Sequence, residues 1–335
     1  MKTLKPKQHI VVVAFLLALL MPIFTKAQSK NIFSGKGWIP FSWESMKLGN
    51  RTFDKAAMIV PFKIDGIDAD FTLQFDLGAT SSMLYGNSID YFLNENSVLK
   101  AKLDTTTKRF FIQNTKNGGF RNLDACLGSV KYIFDDMAYF KGFGDTLTVD
   151  SIKKGKPIRI GTLGAPFFKD KVLIIDYPHQ RFLILDSLNE KTKNDFDFVD
   201  ARLDMGTLKI PFNIGGTPYW MMFDTGSSIF AIMTDQQHYN TFTGNTQVDS
   251  LGISSWGQIK MVYGKQINKP VKLGNTVLPN NYVYMMPGND WDDFYKQEKI
   301  VGLTGNAFFL NNVVAIDFKQ LKFGVYKYKV TTKSK

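Results

Sequence analysis

Two aspartates in matching surroundings carry residue types that do chemistry as a pair. Asp76 sits in Phe75-Asp76-Leu77-Gly78-Ala79-Thr80-Ser81, and Asp224 in Phe223-Asp224-Thr225-Gly226-Ser227-Ser228. Each ends an alternating apolar run and has a glycine two residues later. If two such carboxyls face each other across an internal two-fold axis, they cannot both ionise cheaply. They share one proton and titrate as a unit. One member then takes a proton from water while the other donates to a carbonyl oxygen. The chemistry predicted is direct water attack on an amide, with no covalent intermediate, no metal and no cofactor. Gly78 and Gly226 let the backbone turn sharply and leave room for a second segment. Hydroxyls such as those of Thr80, Thr225 and Ser227 are placed to orient the carboxyls.

The elements that would position the pair recur with it. Ile59–Gly66 answers to Lys209–Gly216, and Cys126–Ser129 to Lys272–Asn275. Gly161–Phe168 answers to Gly302–Phe309, and Val172–Tyr177 to Val313–Phe318. The five blocks keep their order, with offsets of 150, 148, 146, 141 and 141 residues. A period this long marks a duplicated lobe, since solenoid repeats run roughly 20–50 residues. Asp176 and Asp317 also repeat, but at strand ends before turns, where aspartate is a turn former.

The expected structure is mostly β. Phe71, Leu73 and Phe75 alternate with Thr72 and Gln74, and Tyr219, Met221 and Phe223 do likewise; period two marks half-buried strands. Asp65-Gly66 and Gly215-Gly216 suit two-residue hairpin turns. Short helices are expected near Asp90–Asn94 and Trp291–Gln297. The charged segment Asp186–Asp204 reads as the connection between lobes. Asn31–Lys55 has no evident counterpart; it supplies an extra strand, leads into the first lobe, or serves as a pro-segment from Gln28 onward.

Composition bounds the rest. Lys2, Lys5 and Lys7 precede an uncharged apolar run, Ile10–Phe24, and Thr25-Lys26-Ala27 follows. This is the layout of a secretory signal peptide over residues 1–27, cut before Gln28. The run is short for a bilayer, which needs about 20 residues, and no later run is apolar enough to span one. The expected location is therefore periplasmic, cell-surface or secreted. Loss of four leader lysines lowers the net charge from +11 to +7. The remaining basic residues are scattered, whereas a nucleic-acid binder presents a stripe or patch. Cys126, the only cysteine, rules out an internal disulfide and reads as a small core residue. His179 and His238 lack metal-binding spacing and read as solvated.

These motifs resemble the pepsin-like and retropepsin-like aspartic peptidases. The shared pattern is a hydrophobic-hydrophobic-Asp-Thr/Ser-Gly motif in each half, paired with a later hydrophobic-hydrophobic-Gly segment. Met222-Phe223-Asp224-Thr225-Gly226-Ser227 matches in full. Ile300-Val301-Gly302 and either Ile158–Gly161 or Thr162-Leu163-Gly164 are similar to the partner segments. The resemblance spans about Ala57 to Tyr326. It implies an all-β fold of two pseudo-symmetric, barrel-like lobes, here residues 28–190 and 191–335, with a cleft between them. It further implies a monomer with Asp76 and Asp224 as catalytic dyad, supported by Gly78, Thr80, Thr225, Gly226 and Ser227. The substrate would be a peptide or protein lying extended in the cleft. The covering flap would be Phe110–Phe120, turning at Asn117-Gly118-Gly119, or the region of Trp256-Gly257. One departure matters: Leu77 stands where the family clamps its two loops with a hydroxyl. The rival expectation is a peptidase-like module, catalytically weak or inactive, that binds peptide or a protein partner.

Overall fold

The computed structural model describes residues 37–112, 115–153, 155–244, 248–255 and 258–328. The expected leader, Trp256-Gly257 and the first part of the proposed pro-segment lie outside them. Gly35–Lys335 form one compact unit.

Among the described residues, the strands form two ten-stranded sheets, a six-stranded sheet and a two-stranded hairpin. Each ten-stranded sheet belongs to one half of the sequence, and the two share a strand order. At the centre of the first, the strand Phe71–Asp76 lies between the strand ending at Ile64 and the strand Ile158–Gly164. At the centre of the second, Thr217–Phe223 lies between Thr207–Ile214 and Gly302–Thr304. Period-two patterning drives this: Phe71, Leu73 and Phe75 are buried, while Thr72, Gln74 and Asp76 on the other face are half-buried. Burying a side chain such as Phe75 contributes about 1.5–3 kcal/mol.

The crossing strands make the arrangement unusual. Ile158–Gly164 runs parallel to the first aspartate strand and antiparallel to Met83–Tyr85, which follows that aspartate in sequence. Gly302–Thr304 does the same between Thr217–Phe223 and Ile232–Thr234. Each crossing strand therefore threads between two strands that the aspartate loop connects. Such close passage demands glycine. A Cβ on Gly161 would stand 2.1 Å from the Met83 carbonyl oxygen, and one on Gly302 2.3 Å from that of Met233.

The six-stranded sheet takes three strands from each half. Its middle pair, Val172–Asp176 and Val313–Asp317, runs antiparallel with Ile174 opposite Ala315. A single apolar core cluster runs from Phe75, Leu77 and Phe168 to Phe223, Phe309 and Phe323. Asp176 and Asp317 cap the turns that follow: Asp176 accepts from the His179 N–H, and Asp317 from those of Lys319 and Gln320.

Several expectations are corrected. Gly215-Gly216 forms the two-residue turn, with Ile214 opposite Thr217. At Asp65-Gly66 a turn forms, Ile67 N–H to the Ile64 carbonyl, but strand pairing resumes only at Phe62 opposite Phe71. Asn31–Lys55 does have counterparts. Ile39–Pro40 edges the six-stranded sheet as Phe196–Asp200 does on the far side. Ser42–Leu48 and Arg51–Ile64 form a hairpin that answers to Arg202–Asp204 and Thr207–Ile214 but is longer. Phe196–Asp200 also places part of the expected connection inside a sheet. Both expected helices are present, as Gly86–Glu95 and Asn289–Gln297, joined by unpredicted ones such as Gln236–Phe242. Cys126 is only half-buried, because Ala125 and Leu127 take the core face of its strand. Neither histidine is simply solvated: His179 contacts Asp176, and His238 contacts Asp235 at 2.7 Å beside the Tyr219 and Phe242 rings. Among the described residues, no helix is long and apolar enough to cross a membrane.

Candidate active site

The two aspartate loops meet. A Cβ on Gly78 would stand 2.5 Å from the Asp224 carboxyl carbon, and one on Gly226 2.7 Å from that of Asp76. Only glycine fits either position, so each loop's glycine seats the other loop's carboxyl. The two carboxyl groups contact each other directly. Each also receives the N–H two residues on: Gly78 N–H to Asp76 Oδ1 at 3.0 Å, and Gly226 N–H to Asp224 Oδ1 at 2.8 Å. The Ala79 and Ser227 N–H groups close matching turns on the Asp76 and Asp224 carbonyls, at 3.2 and 3.1 Å.

The electrostatics are unequal. Burial raises the Asp76 carboxyl above its ordinary value, against the hydrogen bonds from Asp224 and from the Gly78 and Ala79 backbone. Asp224 is raised further, by burial first and then by the charge and hydrogen bond of Asp76. Two carboxyls this close keep one proton between them.

The crossing strands lock these loops from behind. A Cβ on Gly164 would stand 2.6 Å from the Ser81 carbonyl oxygen, and one on Gly305 1.8 Å from that of Ser227. Of the two sequence candidates in the first half, Ile158–Gly161 and Thr162–Gly164, the second supplies the glycine that backs the loop. Gly161, opposite Leu73, corresponds to Gly302, opposite Met221.

The clamp between loops is one-sided. Thr225, fully buried, accepts from the Leu77 N–H at 2.8 Å and donates to the Phe75 carbonyl at 3.0 Å. Leu77, also fully buried, joins the apolar core and returns neither bond. Of the other expected supports, Ser227 closes the Asp224 turn through its N–H. Thr80 departs from expectation: it is exposed, and a Cβ on Gly206 would stand 3.4 Å from its Cγ2. It lies beside the Met205-Gly206 turn.

Three residues in this neighbourhood were not foreseen. Ser228 Oγ donates to the Thr225 carbonyl at 2.8 Å, and Asn306 Nδ2 donates to that carbonyl at 2.9 Å and to Ser228 Oγ at 2.7 Å. The Tyr177 hydroxyl donates to Asn306 Oδ1 at 2.6 Å. The signal was available in the repeat. Asn306 and Tyr177 occupy positions where the other copy has Ala165 and Phe318, so both break the symmetry with a polar group.

Each half also carries a hairpin near its aspartate loop. Phe110–Ile112 pairs with Thr115–Asn117, so Asn117-Gly118-Gly119 is not the turn of this hairpin. Those glycines serve close packing: a Cβ on Gly119 would stand 2.4 Å from the Phe110 ring. Phe110 and Ile112 share an apolar cluster with Ala79, Met83, Tyr85 and Phe140. In the second half, Asp249–Ser255 pairs with Gln258–Gln266, and Leu251 and Val262 share a cluster with Ile229 and Phe230.

No protein-family model and no curated protein matches this chain. Among the described residues, no group of three or more His, Cys, Asp or Glu side chains is placed to hold a metal ion.

Proposed function

We propose that this protein is an aspartic endopeptidase of the pepsin-like and retropepsin-like type, exported by its leader and acting on peptide or protein substrate in a cleft between the lobes. The observation that carries this reading is the reciprocal seating of Asp76 and Asp224, each carboxyl fitted over the other loop's glycine. In the reaction, the ionised Asp76 takes a proton from water as its oxygen attacks the scissile carbonyl carbon. Asp224 donates its proton to the carbonyl oxygen, giving a neutral tetrahedral diol. Collapse breaks the C–N bond, the amine leaves with the proton held by Asp76, and Asp224 recovers one from the diol hydroxyl. The raised carboxyl of Asp224 suits this, because the singly protonated pair then persists above the ordinary carboxylate range. The two hairpins over the aspartate loops are the candidate flaps.

A mixed peptide library incubated with the mature chain from about pH 3 to about pH 8 tests the proposal. Cleavage is expected in the acidic part of that range, and Asp76→Asn and Asp224→Asn should each abolish it. Leu77 favours a second reading, a peptidase-like fold that binds peptide without cutting it. Peptide retained intact by folded wild type and both variants would select that reading.

A further inference from the structure

The clamp that joins the two aspartate loops is anchored in only one of them. Thr225 holds the first loop through Leu77 and Phe75, but nothing at Leu77 holds Thr225 in return. A loop gripped by one hydroxyl is free to slide or tilt unless its own backbone is fixed elsewhere. The Thr225 carbonyl is fixed, by Asn306 Nδ2 and by Ser228 Oγ. The amide orientation follows from chemistry: a carbonyl only accepts, so Nδ2 faces Thr225 and leaves Oδ1 for Tyr177. Burial raises the Tyr177 phenol far above its ordinary value, so the hydroxyl stays protonated and donates. Tyr177 lies in the first half of the sequence and Asn306 in the second. The chain of contacts therefore leaves the first half at Tyr177, passes through Asn306 and Thr225, and re-enters it at Phe75 and Leu77. All of these groups are buried.

We propose that Tyr177 and Asn306 are positioning residues for the Asp76–Asp224 pair, fixing Thr225 from behind and supplying the restraint that a hydroxyl at position 77 would give. This rests on the reading of the pair as a proton-sharing dyad. Ala165 and Phe318, the counterparts in the other copy, have no polar side-chain group to offer the first loop, where Ala165 contributes only its backbone N–H to the Ala79 carbonyl, so the side-chain restraint acts through Thr225.

The test compares Asn306→Ala, Tyr177→Phe and their double mutant with wild type, using one cleaved peptide and side-chain carboxyl NMR titration of aspartate-labelled protein. Tyr177→Phe keeps the ring and removes one oxygen, so its fold is retained even if Asn306→Ala unfolds. Expected is a fall in kcat on the order of ten- to a hundredfold with KM little changed, as for a misplacement near 1 Å. The double mutant should be no worse than the poorer single mutant, because the two residues act in series. The two apparent pKa values of the pair should draw together, since separated carboxyls couple less. Folded Tyr177→Phe and Asn306→Ala proteins with wild-type kcat and an unchanged dyad titration would overturn the assignment. A wild type that cuts no peptide yet titrates as a coupled pair still decides the matter through the NMR shift. A wild type with two independent, ordinary carboxyl pKa values would instead overturn the dyad reading, and the positioning role with it.

Discussion

Thr225 carries more of the site than any residue but the aspartates themselves. Its hydroxyl satisfies one donor and one acceptor of the opposite loop, both buried. Thr225→Val keeps shape and volume but leaves the Leu77 N–H and Phe75 carbonyl without it. Each unsatisfied buried group costs about 1–3 kcal/mol, so urea unfolding should show a loss of roughly 2–6 kcal/mol. The aspartates act in the opposite sense. Asp224 has a raised folded pKa, so over the window from its unfolded value of about 4 up to the folded one, the native protein holds a proton the unfolded chain has released. Stability then falls as pH rises through that window. Asp224→Asn removes that share of the dependence and leaves the smaller share that burial of Asp76 contributes, so its stability relative to wild type should increase as pH rises from about 4. Unfolding midpoints measured across that range check the sign.

At the scale of elements, the long hairpin Ser42–Ile64 is a strap between the halves. Its tip residue Arg51 donates to Asp249 at 2.8 Å, where the Tyr284 hydroxyl also donates, at 2.9 Å. Phe53 packs against the apolar cluster of the second half. Burial opposes ionisation of Asp249, yet the hydrogen bonds from Tyr284 and Arg51 hold its carboxyl below the ordinary range. The Arg51–Asp249 pair is partly exposed, which limits its energetic worth. Its effect should be local: Arg51→Ala should speed hydrogen exchange in Asp249–Gln266 and leave Phe110–Asn117 unchanged. This strap was illegible in the sequence, because a strand that outruns its own sheet shows no change of period where it meets a new partner. The central strands were legible, since Phe71–Phe75 and Tyr219–Phe223 carry their burial in strict alternation. The meeting of the two aspartate loops was legible through the repeat. Asn306 and Tyr177 were legible only as polar breaks in the repeat, opposite Ala165 and Phe318; their role was not, because it depends on partners that lie distant in sequence.

For the molecule as a whole, the six-stranded sheet joins what the sequence duplicates. Residues 37–188 supply three of its strands and residues 189–328 the other three. A chain cut near Asn189, in an exposed stretch, interrupts no strand. Co-expressed halves should therefore co-purify as a one-to-one complex, whereas either half alone exposes an unpaired central strand and should aggregate. Size-exclusion chromatography of the co-expressed pair, beside each half alone, measures this. Recovery of two soluble, independent monomers would contradict it.

The seam of that sheet also sets which halves recognise each other. On its central pair, isoleucine at 174 meets alanine at 315. Two copies of the first half would press Ile174 against Ile174, and two copies of the second would leave a gap between alanines; crowding and void are both costly. The aspartate loops diverge in the same sense, since two first halves would bring two leucines and no clamping hydroxyl. The first half is thus a poor partner for itself on both counts, in the sheet and in the loops, and finds in the second half the small residue and the hydroxyl it lacks.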